Sequence, residues 1–276
     1  MTAGAAQIVA LLTLGIAGGV LGTLVGLGGG FVVLPVLRVA YGIAPATASG
    51  ITLVMVLANA ISGSFAYLRQ RRADVRTAGL IAVTGIPASV LGTYLVGRVS
   101  FAGFDYLYGA LLVTFFIYLV GRDRGREGPP ATLPRGFRER RLVDAYGEEF
   151  GYLTNTPLVL LCGAAVGLQS SFFGVGGGII FLMVFIALFR MPAHIVTATS
   201  TVAILLTAPA GVLAHAYARD IDWALAVPLA AGGLVGGQLG PRLARRMSSP
   251  RLLTALAAML LIAALALVVK HLPLHV

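Results

Sequence analysis

The chain has 276 residues, of which 58% are hydrophobic and only 11% charged, with a formal net charge of +10. Soluble domains carry near ~25% charged residues, so this composition excludes an ordinary soluble fold and makes the lipid bilayer the expected solvent. The single cysteine, Cys162, excludes an intrachain disulfide and a cysteine metal cluster; no metal or other cofactor is expected, and no nucleic acid, because the arginines sit in loops between apolar runs where membrane topology accounts for them.

The first apolar segment covers residues 5–39 and is interrupted by Gly26-Leu27-Gly28-Gly29-Gly30. No basic region precedes it, so a cleaved signal peptide is not expected. Segments 45–68, 77–97 and 104–120 follow. Residues 121–155 are rich in Arg, Pro and Glu and read as a polar linker rather than a third domain. The second set begins with 157–189, interrupted by Gly174-Val175-Gly176-Gly177-Gly178, and continues with 192–218, 223–243 and 252–269. Between positions 2 and 68 the only charged residue is Arg38; between 157 and 218 it is Arg190. Runs of ~18–25 residues cross a hydrocarbon core of about 30 Å. Their backbone polar groups must be satisfied internally, which predicts helices, and no alternating pattern supports a barrel. The expected fold is all-α and integral to a membrane, the bacterial inner (cell) membrane. Its units are a first membrane repeat (1–120), a cytoplasmic linker (121–155) and a second membrane repeat (156–276). The apolar runs are read as free of Asp and Glu, which argues against a carboxylate proton relay.

The two halves are copies. At a constant offset of 148, Gly15, Gly19, Gly26, Gly28, Gly29, Gly30, Gly63, Gly85 and Gly92 fall on glycines, Asp74 falls on Asp222 and Arg98 on Arg246. For Gly15, Gly19, Gly85, Gly92 and the series 232–240, close packing of transmembrane helices is sufficient reason. It is not sufficient for the triple glycines, which each destabilise a helix. A glycine break at matching positions of two apolar halves points to a transporter's binding site.

Loop charge sets the orientation. Loop 69–76 carries four arginines and one aspartate, whereas its counterpart 219–222 carries one arginine and two aspartates. Loop 98–105 is balanced, whereas 242–251 carries four arginines and no acid. By the positive-inside rule the halves are expected upside down relative to each other, with loops 69–76 and 242–251 and the linker cytoplasmic. Residues 179–189 and 31–39 are too short to span, so each broken segment is expected to enter the membrane and turn back at its glycines. Each half is then a glycine-broken re-entrant hairpin plus three transmembrane helices, arranged as inverted-topology repeats with both termini outside.

The expected chemistry lies at the breaks. After each one a short helix starts, with amides that lack acceptors and a partial positive charge. Glycine lets a ligand approach this backbone, and such a terminus binds anions. The expected substrate is a small anion shared by Gly26, Gly28, Gly29 and Gly30 with Gly174, Gly176, Gly177 and Gly178. Thr52 and Asn59 share a helix face, and at the offset they meet Ser200 and Thr207; all four are candidate lining residues. Ser49 and Thr197 are weaker candidates, since Ser and Thr also bond back to their own helix. Gln169, Ser170 and Ser171 precede the second break, where the symmetry fails. His194 and His215 read as interfacial. A P-loop would need Lys and Ser/Thr after the last glycine, and a Rossmann turn a further glycine; Phe31 and Ile179 stand there instead.

The stretch Gly22-Thr-Leu-Val-Gly-Leu-Gly-Gly-Gly-Phe-Val-Val-Leu-Pro35 and its second copy resemble the repeated signature of the sulfite exporter TauE/SafE (TSUP) family. Pro192-Ala-His-Ile-Val-Thr-Ala-Thr-Ser200 and the stretch 211–223 are also similar to it; Met183 departs by standing where Pro35 does in the first copy. The resemblance implies a multispanning permease for sulfur-containing anions such as sulfite or organosulfonates. An anion channel on the same scaffold and, further off, a membrane-embedded enzyme are the alternatives.

Overall fold

The computed structural model describes residues 4–121 and 133–244. The segment expected at 252–269, and residues 245–251 of the loop before it, lie outside the described residues. The described helices are α1 (Ala5–Val25), α2 (Gly30–Val39), α3 (Pro45–Arg69), α4 (Val75–Val96), α5 (Phe101–Gly121), α6 (Thr156–Phe173), α7 (Gly178–Ala187), α8 (Ala193–Tyr217) and α9 (Trp223–Ala244). All except α2 and α7 are long and apolar enough to cross a membrane. The chain is a predominantly helical integral membrane protein.

The bounds of α2, α3 and α4 recur 148 residues on as those of α7, α8 and α9. Pro35 in α2 has Met183 as its counterpart, yet both helices run ten residues. Asp74 caps α4 by accepting from Thr77 N–H, and Asn155 caps α6 by accepting from Leu158 N–H, each satisfying an otherwise orphan amide.

The halves interlock. α1 lies along α9 of the other half, and α6 lies along α4. Glycines permit this approach, as the repeat suggested. A side chain on Gly15 would collide with the Leu229 carbonyl, and one on Gly163 with the Ile81 carbonyl, its counterpart 148 residues away. Gly19 abuts Gly233 as Gly167 abuts Gly85. The most enclosed helices are α3 and α8, which are mostly buried, whereas the other five long helices are buried over half of their apolar length or less.

α6 begins and α7 ends at the same end of the molecule, because Leu153 N–H donates to the Phe189 carbonyl at 2.8 Å. The linker contributes an element not foreseen from composition, the antiparallel hairpin β1 (Arg138–Val143) and β2 (Glu149–Thr154). It docks on loop 69–76 at this end. Tyr152 Oη donates to Asp74 Oδ2 at 2.7 Å, Arg72 pairs with Asp144 at 2.9 Å and Arg140 with Asp74 at 3.1 Å. Burial, then the Asp74 charge and hydrogen bond, push the Tyr152 hydroxyl well up, so it stays protonated as the donor. Burial alone would raise the Asp144 carboxyl, but the amides of Glu148 and Tyr146 and the Arg72 guanidinium together hold it below its ordinary value.

The apolar runs are not free of acids. Asp105 is buried in α5 and accepts from Arg38 Nε and Nη2, both at 2.8 Å. Arg38 also donates to the Ile43 and Phe101 carbonyls. The pair escaped the reading of the sequence because Asp105 sits at the start of an apolar run, 67 residues from its partner.

Candidate functional site

Each break is held open by left-handed glycines. Gly26, Gly28 and Gly29 have φ of 81°, 78° and 85°, and Gly174, Gly176 and Gly177 have 67°, 87° and 72°. An L-residue there costs roughly 1–2 kcal/mol, so glycine is the residue the path requires. Gly30 and Gly178 open α2 and α7 and need space rather than an unusual φ. A Cβ on Gly30 would lie 2.6 Å from the Gly174 carbonyl, and one on Gly178 would lie 2.7 Å from Leu27 Cα. The two breaks therefore touch.

They meet halfway along the central helices. A Cβ on Gly28 would come 2.8 Å from Val56 Cγ1, and one on Gly176 would come 2.9 Å from that atom and 3.1 Å from Ile204 Cδ1. Val56 and Ile204 are each the twelfth of 25 residues in α3 and α8. At this depth α2 and α7 start behind Gly29 and Gly177, neither of which provides a side-chain cap. The positive end of each helix dipole lies at the junction.

The expected lining residues divide. Ser200 Oγ donates to the Gly26 carbonyl at 2.7 Å, and Asn59 Nδ2 donates to the Gly28 carbonyl at 3.1 Å. Both brace the first break, and Asn59 Oδ1 has no hydrogen-bond partner. Thr52 spends its hydroxyl on the Ala48 carbonyl at 2.6 Å and turns its methyl to Gly30. Thr207 bonds back to the Ala203 carbonyl at 2.9 Å and points its methyl at Gly85 of α4. Thr207 is therefore not brought to the breaks, for the reason that makes back-bonding common in helical threonines. Ser49 and Thr197 act as ties: Ser49 Oγ donates to the Phe172 carbonyl at 2.8 Å, and Thr197 Oγ1 to the Val25 carbonyl at 3.2 Å. Each central helix thereby holds the end of the other half's first arm.

His215 lies in the last turn of α8. It is fully buried, with Nε2 3.0 Å from the Ser171 carbonyl and Nδ1 3.3 Å from Asp220 Oδ2. His194 lies in the first turn of α8. Gln169, Ser170 and Ser171 are buried, and Gln169 Nε2 and both hydroxyls lack partners. Among the described residues, no group of three or more His, Cys, Asp or Glu could hold a metal ion.

Residues 11–267 match the family model described as sulfite exporter TauE/SafE. The chain is 25% identical over 261 residues to the probable membrane transporter protein YunE of Bacillus subtilis, covering 92% of this chain and 94% of that protein. It is 28% identical over 245 residues to a probable membrane transporter protein of Xylella fastidiosa, covering 87% of each. A third relative, the probable membrane transporter protein MJ0441 of Methanocaldococcus jannaschii, is 26% identical over 215 residues, covering 76% of this chain and 72% of that protein. No solved structure matches. The chain belongs to the sulfite exporter TauE/SafE family, and its helices and relatives make it a membrane transporter.

Proposed function

We propose that this TauE/SafE family member is a secondary carrier or facilitator for a small sulfur-containing anion, sulfite or an organosulfonate, bound where its two glycine breaks meet. The observation that carries this is the contact of both breaks at the midpoints of α3 and α8. Two helix N-termini, each behind a glycine that has no side chain to fill the space, reach one point at half depth without a Lys or Arg beside them. Backbone amides and dipoles bind an anion there weakly enough for release. In this reading the halves are inverted and each broken segment is re-entrant. The shared end of α6 and α7 supports that arrangement, and so does the swapped arginine bias of equivalent loops. A cytoplasmic linker follows from the same charge rule, and the Bacillus relatives fit a bacterial inner membrane.

The test is flux in proteoliposomes of the purified chain. Sulfite, methanesulfonate, taurine, sulfate and acetate are offered in turn. Saturable uptake of sulfite or a sulfonate, in preference to acetate, is the expected result. Flux that rises linearly with concentration identifies a channel. Absence of flux and binding for every sulfur anion overturns the substrate class.

A further inference from the structure

The two breaks are copies in sequence but not in hydrogen bonding. In the first, the amides of Gly26, Leu27 and Gly28 all converge on the Gly22 carbonyl, at 2.7, 2.9 and 3.3 Å. The loop lies so close to Gly22 that a side chain there would collide with Gly29. Val32 N–H then closes onto the Gly29 carbonyl at 3.2 Å. Four amides of the first break, those of Gly26, Leu27, Gly28 and Val32, are thus taken by its own backbone.

The second break cannot close this way. Ser170 occupies the position of Gly22, 148 residues on, and carries the side chain that Gly22 has no room for. The amides of residues 174–176 do not converge on the Ser170 carbonyl. Ile180, the counterpart of Val32, donates to Gln169 Oε1 at 3.2 Å instead of to the Gly177 carbonyl. Leu21 stands at the equivalent of Gln169, so the first break has no such group.

Holding Oε1 on the Ile180 amide fixes the carboxamide beside the first turn of α7. Its Nε2, which can only donate, has no acceptor there, and Gln169 is 2% exposed. Ser170 is fully buried, and its hydroxyl is likewise unpartnered. Val166, Gln169 and Ser170 share a helix face by their spacing, and Val166 is the residue that Gly177 abuts. This face therefore looks onto the start of α7. Buried donors without acceptors are rare and need a partner. A ligand rich in acceptor oxygens is that partner.

We propose that the anion's charged oxygens rest on the second break alone, taken by Gln169 Nε2, Ser170 Oγ and the amides of Gly178 and Ile179, while the first break, most of whose loop amides are already turned onto Gly22, forms the opposing wall. Gln169 and Ser170 are then specificity-determining residues for a small oxyanion with at least two acceptor oxygens. This rests on the reading above that the breaks bind the transported anion.

The test is isothermal titration of the full-length protein in nanodiscs with sulfite and with methanesulfonate. Gln169→Met keeps the length of the side chain and removes the donor. Ser170→Ala removes the hydroxyl, and Ser170→Gly installs the residue that the first half accommodates at this position. Each should weaken binding by about 10- to 150-fold, the loss expected for one hydrogen bond to a charged group. Leu21→Met, the matching change at the first break, should leave binding unaltered. Variants are compared at matched melting temperature. If Gln169→Met and Ser170→Ala fold and bind as the parent does, the donors hold water or only pack, and the one-sided site is wrong. Equal losses at Leu21 and Gln169 would also overturn it. A parent protein that binds neither anion instead removes the reading on which this inference rests.

Discussion

The Arg38–Asp105 pair offers the most quantitative test of how the first half is held together. Both side chains are 1% exposed, and the guanidinium makes two 2.8 Å bonds to the carboxylate. The pair joins the last turn of α2 to the start of α5, and further Arg38 bonds secure the chain at Ile43 and Phe101. Phe101 and Phe104 cover the guanidinium at 5.1 and 5.5 Å. Removing one partner of a buried pair strands the other charge and costs about 3–5 kcal/mol. For a chain of this size each kcal/mol moves the melting temperature by roughly 2–4 °C. Arg38→Met or Asp105→Leu alone should therefore lower it by about 6–20 °C. The double variant leaves no bare charge and should recover most of the loss, since apolar replacement of a buried pair is often neutral or stabilising. Thermal unfolding in detergent, followed through the single tryptophan, Trp223, measures all four proteins. Single variants within about 2 °C of the parent, or a double variant as unstable as the worse single, would refute the reasoning.

Three further outcomes are expected. Gly177→Ala should destabilise the fold rather than leave a folded, binding-dead protein, because its Cβ would collide with the Val166 carbonyl at a φ of 72°; a variant melting within about 1 °C of the parent would contradict this. Because the Asp144 carboxyl is held below its ordinary value in the folded chain, its contribution to hairpin docking is complete at neutral pH and fades only as pH falls below about 4. Hydrogen exchange over residues 138–154 should be flat from about pH 5 to 8 after correction for intrinsic rates, and it should rise at all pH values in Tyr152→Phe. In a Cys162→Ala background, cysteines placed at Arg71 and Arg219 should react with an impermeant maleimide from opposite sides of the membrane; reaction from one side would remove the inverted arrangement.

What was legible followed from local rules. The breaks were readable almost to the residue, because three left-handed positions within four residues admit little but glycine. The helices on either side were readable because a charge-free run of membrane length has few other options. The packing role of Gly15, Gly19, Gly85 and Gly92 was legible from the repeat. The hairpin was not, because its strands, Arg-Glu-Arg-Arg-Leu-Val and Glu-Phe-Gly-Tyr-Leu-Thr, hide their pairing under loop-like composition. Its anchors, Arg72 to Asp144 and Tyr152 to Asp74, are separated by 72 and 78 residues. Thr52 and Thr207 looked equivalent to Ser200 and Asn59 on the helix face. Which of them would bond back to its own helix depends on rotamers that a helical projection does not contain.

The hydrogen bonds sort the protein into rigid and adjustable parts, and from that sorting we infer where the transport cycle moves. α5 is clamped to α2 by charge-assisted bonds, whose removal costs several kcal/mol. Across the halves the breaks are held by single neutral bonds from the central helices: Ser49 to Phe172, Thr197 to Val25, Ser200 to Gly26. Each is worth only about 1 kcal/mol net, and such bonds can be exchanged one at a time. Because every one of these ties crosses between halves, relative motion of the halves must alter both breaks. An anion seated on the second break adds bonds at the adjustable part and none at the clamp. Saturating sulfite should therefore slow amide exchange across 174–180 while leaving 101–105 unchanged. Equal slowing in both stretches would mean that the ligand tightens the whole molecule, and the division into moving breaks and fixed clamp would fall.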